Sequence, residues 1–271
     1  MASVTRRVAA ISLQLALCAA LAACGKGGHL VEASPSTGAS AAKPSQPSAA
    51  APAPKAAPSS SPAVARARAF ASAVNLQAAD LPGFSVSSER KHKHGGESEQ
   101  RLERELHACA GSALAHSGSS ASLAEGGSST FERKGGIASE SVSSSVTVER
   151  SPAAAAKLLE ALRNTRLRGC LAHAFGGLLH DQHIPGATIG PATIKFGSPP
   201  APGMTGGFGL RVRTTIVTHG IPIPFYLDVL GFVDGPAEVS FLAISLPAPL
   251  PAAIEEHLFS VLEERARAHS A

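Results

Sequence analysis

Two clusters of histidines are the residues whose type and spacing could most readily do chemistry. In ERKHKHGGESEQ, His92 and His94 stand two apart, so on a strand they share a face, with Glu97 and Glu99 close behind. Imidazole and carboxylate together suit zinc or another transition metal. Arg90, Lys91 and Lys93 surround the two histidines, and like charge opposes a dication. His92 and His94 are therefore weak metal candidates, and the segment reads better as a solvated polar strand end. In HAFGGLLHDQH, His173 and His180 are seven apart and lie near one helix face, followed by Asp181 and His183. Gly176 and Gly177 weaken that helix by roughly 1 kcal/mol each relative to alanine, which disfavours a rigid preformed site. Exposed histidines at a helix C-terminus, where the macrodipole favours positive charge, are the better reading.

Motifs of nucleophilic or phosphate chemistry are missing: there is no G-x-S-x-G, H-E-x-x-H, C-x-x-C or G-x-x-x-x-G-K-[ST]. The glycine-rich GMTGGFG at 203–209 leads into a strand instead of following one into a helix, so it reads as a flexible loop and not as a phosphate cradle. Neither an enzyme nor a bound cofactor is expected. Asp228 alternates with Leu227 and Val229, which turns it away from the apolar side of its strand and towards Arg211 or Arg213 on a neighbour. That placement fits a cross-strand ion pair, or else a polar anchor in a ligand groove. In IPIPFY, Ile221, Ile223 and Phe225 form either an exposed apolar lip or part of the core, with core favoured.

The cysteines have separate fates. Residues 1–24 run from a basic start at Arg6 and Arg7 through an apolar stretch from Val8 to Ala23 to small residues before Cys24, the layout of an export signal. The apolar stretch is about 16 residues, shorter than the ~20 needed to cross a bilayer. Leu21-Ala22-Ala23-Cys24 resembles the bacterial lipobox, which implies that Cys18 leaves with the signal peptide (1–23) and Cys24 carries lipid as the new N-terminus. Cys109 and Cys170 then remain in an exported compartment that permits disulfides, and they are expected to pair. A closed loop of about 61 residues stabilises a fold by roughly 4 kcal/mol in the chain-entropy model.

These candidates need elements to position them. Residues 24–63 comprise the lipidated Cys24 and an Ala/Ser/Pro-rich stretch without aromatic residues, which cannot bury enough apolar surface to order itself and reads as a disordered tether. Its reach is roughly 35 Å as a coil and about 120 Å if fully extended. Residues 64–271 are ample for one cored domain. Apolar spacing predicts helices over 65–75, from 98 onwards with Cys109 on the buried side, over 152–164, 170–179 and 252–267. Ser151-Pro152 supplies an N-cap and a first-turn proline. Alternation predicts strands near 84–91, 129–134, 138–149, 208–216, 225–233 and 237–246. The order implies an α+β domain, an antiparallel sheet with helices packed on one side and preceded by the tether.

The segment LQAADLPGF (Leu76 to Phe84), a cysteine on the next helix, a second cysteine in RGCL and the late strand FYLDVLGFVDG together resemble actinobacterial extracytoplasmic lipoproteins with a PknH-like sensor domain. The resemblance spans most of residues 64–270. It implies an α+β sandwich held by disulfides that senses or binds something outside the membrane and has no assigned enzymatic activity. The chain carries 24 basic and 20 acidic side chains, about +2 once Arg6 and Arg7 leave. Without tryptophan or aromatic–basic interleaving, nucleic-acid binding has no support. The expected protein is a lipid-anchored domain on the outer side of the cell membrane that binds an envelope ligand such as a lipid. The alternative is a protein-binding scaffold module of the envelope.

Overall fold

The computed structural model describes residues 61–87, 122–180 and 186–269. Among them, helix α1 (Pro62–Val74) starts where Ser61 accepts a hydrogen bond from the Val64 amide and proline fills the first turn, a signal that also opens α2 (Pro152–Arg163) behind Ser151. Residues 62 and 63 thus belong to the folded part and not to the preceding Ala/Ser/Pro stretch. The other helices are α3 (Thr165–His180) and α4 (Ala252–Ala268). The strands are β1 (Ser85–Val86), β2 (Ala124–Gly127), β3 (Phe131–Gly135), β4 (Ala138–Val148), β5 (Ala187–Ile189), β6 (Thr193–Gly197), β7 (Gly206–Thr218), β8 (Ile221–Asp234) and β9 (Ala237–Leu246).

All nine strands join one antiparallel sheet, as the α+β reading requires, in the order β1-β3-β4-β9-β8-β7-β5. Strands β2 and β3 pair in succession along β4, where residues 128–130 oppose only 143 and 144. Strands β5 and β6 do the same along β7, where 190–192 oppose 214 and 215. Each outer partner is therefore one bulged strand, and each bulge is pinned by hydrogen bonds: Ser144 amide to Ser128 Oγ at 2.8 Å, and Thr214 Oγ1 to the Gly190 carbonyl at 2.8 Å.

The helices occupy both faces of the sheet, a difference from the one-sided packing the sequence suggests. Along β8 and β9, Leu230, Phe232, Val239, Phe241 and Ala243 pack under α1 and α4 with Phe70, Val74, Leu258 and Leu262. Their neighbours of opposite parity, Leu227, Val229, Leu242 and Ile244, pack under α3 with Leu167, Leu171 and Phe175. Residues of alternating parity point to opposite faces, so the two clusters lie on either side of the sheet. The strict alternation of β7 does not continue into these two strands, which are buried on both faces from Leu227 to Val233 and almost throughout from Ala237 to Ser245.

The glycine-rich segment at 203–209, which reads as a loop from sequence, supplies the first residues of β7. A Cβ on Gly207 would lie 2.2 Å from the Pro199 carbonyl oxygen, so this strand start needs glycine for a close backbone approach. The chain ends of the described fold are clasped together. Arg265 on α4 donates to both Asp80 oxygens at 2.8 Å and to the Asn75 carbonyl at 2.8 Å, tying α4 to the end of α1.

Arg265→Ala should destabilise the domain by about 3 kcal/mol, because it leaves a largely buried Asp80 carboxylate without its bidentate partner. Differential scanning calorimetry at neutral pH measures this, and an unchanged melting temperature would show the clasp to be dispensable.

Candidate functional site

The sheet brings together charged residues that lie far apart in the sequence. Arg211 on β7 pairs directly with Asp228 on β8, with Nε 3.4 Å from Oδ1, which realises the cross-strand pair read from the alternation. Because α4 covers that face, Asp228 does not look into solvent; it is 6% exposed. A third member comes from the helix: Glu255, 7% exposed, receives a hydrogen bond from Arg211 Nη2 at 2.5 Å. Sequence spacing gave no sign of Glu255, since its place against β8 follows from how α4 lies on the sheet.

Two carboxyl groups thus share one guanidinium under a helix. Burial, together with the negative charge of Asp228, pushes the Glu255 carboxyl up to about 7. Burial also raises Asp228, although Arg211 and Arg213 pull it back and Glu255 donates a hydrogen bond to it. The cluster is a Glu255 acid bonded to an Asp228 carboxylate, balanced by Arg211, and it holds a proton near neutrality. It could store or exchange that proton, and it works as a polar strut between α4 and the sheet.

The opposite face carries a shallow cleft, enclosing about 10 Å³, between α2, the start of α3 and strands β6 and β7. Its walls are mixed: Leu159, Leu162, Phe196 and Phe208 supply apolar surface beside Ser198 and the backbone of Gly197, Gly207 and Gly209. Arg163 and Arg168 stand at its mouth. Arg168 is fixed there by a hydrogen bond from Nε to the Leu162 carbonyl and by its place over the Phe196 ring, 5.4 Å from the centroid. Among the described residues, neither arginine forms an ion pair with a carboxylate, and the same holds for Arg166 beside them. The capping of α3 by Asn164, which accepts from the amides of Arg166 and Leu167, fixes the turn that gathers these arginines in RNTRLR. The cleft suits an anionic head with a short apolar portion behind it.

The structure separates the other sequence candidates. His92, His94, Glu97, Glu99, Asp181 and His183 lie outside the described residues, as do Cys18, Cys24 and Cys109. His173 is exposed on α3, and among the described residues no group of three His, Cys, Asp or Glu side chains is placed to hold a metal. Phe225 is core, whereas Ile221 is 62% exposed, so IPIPFY divides between the two readings. Cys170, on the buried side of α3 and 2% exposed, is the one cysteine among the described residues, and its sulfur is bonded and is not a free thiol.

The pairing of Cys170 with Cys109 is thus a proposal. Alkylation of the unfolded, unreduced exported protein should label neither cysteine, and reduction should expose both; a Cys109 peptide labelled before reduction would refute the pair. The carboxyl pair makes a pH prediction. A folded-state value for Glu255 above its unfolded value means that the native state binds the extra proton, so stability falls as pH rises from about 4.5 to about 7. Glu255→Gln, which imitates the protonated acid, should raise the melting temperature over wild type by roughly 2–4 °C at pH 8 and leave it nearly unchanged at pH 4. An equal shift at both pH values would show that the proton does not matter. No protein-family model, curated protein or solved structure matches this chain.

Proposed function

We propose that this chain is a lipid-anchored extracytoplasmic protein whose single domain binds the anionic head of an envelope amphiphile in the cleft between α2, α3, β6 and β7. The observation that carries this reading is that Arg163 and Arg168, which have no acidic partner among the described residues, line a cleft beside Leu159, Leu162, Phe196 and Phe208. Guanidinium groups recognise phosphate and carboxylate by paired hydrogen bonds, and an apolar wall behind them accepts the first carbons of a chain. The groove encloses only about 10 Å³ of space for water-sized groups, so in this reading it holds the head at its surface and leaves the tail outside. In this reading Cys24 holds the protein at the membrane, the Ala/Ser/Pro stretch gives it reach, and the domain has a binding role and no catalytic one. The resemblance to lipoproteins with a PknH-like sensor domain agrees with such a role and enters as part of the proposal.

Dodecyl phosphate below its micelle concentration is a suitable probe, titrated calorimetrically. Wild type should bind it in preference to neutral dodecyl maltoside, and Arg163→Ala should weaken binding about tenfold, the loss of one charge-assisted contact. Arg66→Ala, on the exposed side of α1, should leave it unchanged. Equal affinity in wild type and Arg163→Ala, or a preference for the neutral detergent, would refute the reading.

A further inference from the structure

The β7–β8 hairpin extends beyond the body of the sheet. The last pair between β8 and β9 is Tyr226 with Ser245, yet β8 starts at Ile221 and stays paired with β7 out to Thr218. The five residues from Ile221 to Phe225 therefore run about 17 Å further, at ~3.4 Å per residue. The tip is a two-residue turn, His219 and Gly220, both with positive φ (50° and 78°), which suits a tight hairpin. Strand β5 flanks it by pairing with residues 216–218. The result is a three-stranded finger.

Its composition sets it apart from the rest of the surface. Residues 186–194 and 214–227 contain no Asp, Glu, Lys or Arg. Ile189, Ile216, Ile221 and Ile223 lie on one face by register, and Val217, Pro222 and Pro224 on the other. At the finger's base Arg213 lies over the Tyr226 ring, 4.9 Å from its centroid. Ile137, 72% exposed, sits in the β3–β4 turn at this same end of the sheet, because Ser139 pairs with the last residue of β9. Two hairpin tips therefore present bare isoleucines in one direction.

The edge chemistry narrows the partner. A residue flanking a two-residue turn exchanges hydrogen bonds with its opposite, so Ile221 and Ile223 bond to β7 while positions 222 and 224 present their backbone to the edge that β9 leaves open. Both are proline, and that edge has no N–H there to offer an incoming strand. An incoming strand would find acceptors but no donors at these positions, which favours contact through apolar side chains over strand addition along β8. A tip without Asp, Glu, Lys or Arg, whose turn carries His219, above an aromatic–cation collar matches the polarity gradient of a bilayer surface, with isoleucines in the acyl region and Tyr226 with Arg213 at the headgroups. We infer that the β7–β8 finger inserts its isoleucine tip into the outer face of the membrane, orienting the domain on a lipid surface. The inference shares with the proposed function the placement of the domain beside a bilayer, and it requires no ligand in the arginine cleft.

The chain contains no tryptophan, so Ile221→Trp supplies a single emitter at the tip, and Val86→Trp, at an exposed site away from the finger, supplies the reference. The full chain is mixed with phosphatidylcholine vesicles containing phosphatidylglycerol, with or without bromine in the acyl chains. Emission from the Ile221→Trp variant should shift to the blue and be quenched at least twofold more by brominated lipid than emission from the Val86→Trp variant. Adding Ile223→Asp to Ile221→Trp should abolish that difference, with an unchanged circular dichroism spectrum showing that the fold persists. Flotation of the same samples, with and without Cys24→Ser, reads the anchor separately. If the chain floats while the tip emitter is quenched no more than the reference, the finger is overturned and the anchor stands. Tip quenching that persists with Cys24→Ser supports the finger without the anchor. A chain that neither floats nor shows tip quenching overturns the finger. So does tip emission that shifts with protein concentration in the absence of vesicles, which would assign the tip to contact between copies.

Discussion

Strands β8 and β9 carry apolar side chains on both faces, from Leu227 to Val233 and from Ala237 to Ile244, and this double burial governs the rest of the domain. A sheet centre of this kind must be covered twice. Helices from the two ends of the described fold, α1 and α4, cover one face, and the consecutive pair α2 and α3 covers the other. Since α1 and α4 come from opposite ends, their side of the core needs a link between them, which the Arg265 contacts with Asp80 and Asn75 provide.

The same constraint explains the buried charges. Any polar residue on central β8 goes under a helix whichever way it points, and Asp228 goes under α4. A lone carboxylate there would be costly, and Arg211 across the pairing and Glu255 from the helix convert it into a bonded cluster that takes up a proton near neutral pH. Arg163, Arg166 and Arg168 have different surroundings: the first two are exposed, Arg168 is half-buried between the Leu162 carbonyl and Phe196, and no carboxylate pairs with them among the described residues. Unpaired cations at a rim are available to a ligand in a way that the internal cluster is not.

Where the double cover ends, the sheet manages its margins differently. On either side the outer strand is bulged, β2 with β3 and β5 with β6, which breaks long flat edges. Beyond the last pair with β9, the alternating prolines of β8 remove the donors that another strand would seek. What that edge of the finger offers is apolar side chains and carbonyl acceptors, without donors.

Local pattern was enough to read the class of the fold. Ser151-Pro152, the alternation through Leu210, Val212 and Thr214, and the spacing of Ile254, Leu258 and Val261 give helices and strands close to those observed, because caps and periodicity act within a few residues. The pairing of Asp228 with Arg211 was legible as well, since alternation places both on strand faces. Strands β2, β5 and β6 were not legible: they are three to five residues long, glycine-containing or polar, and owe their state to the pairing offered by β4 and β7. The two-sided packing of helices, the arrival of Glu255 beside Asp228, the cleft behind Arg163 and the reach of the finger past β9 were decided by tertiary structure alone. Each depends on where two segments distant in sequence come to rest, and one-dimensional periodicity records which side of an element is apolar without recording what lies against it.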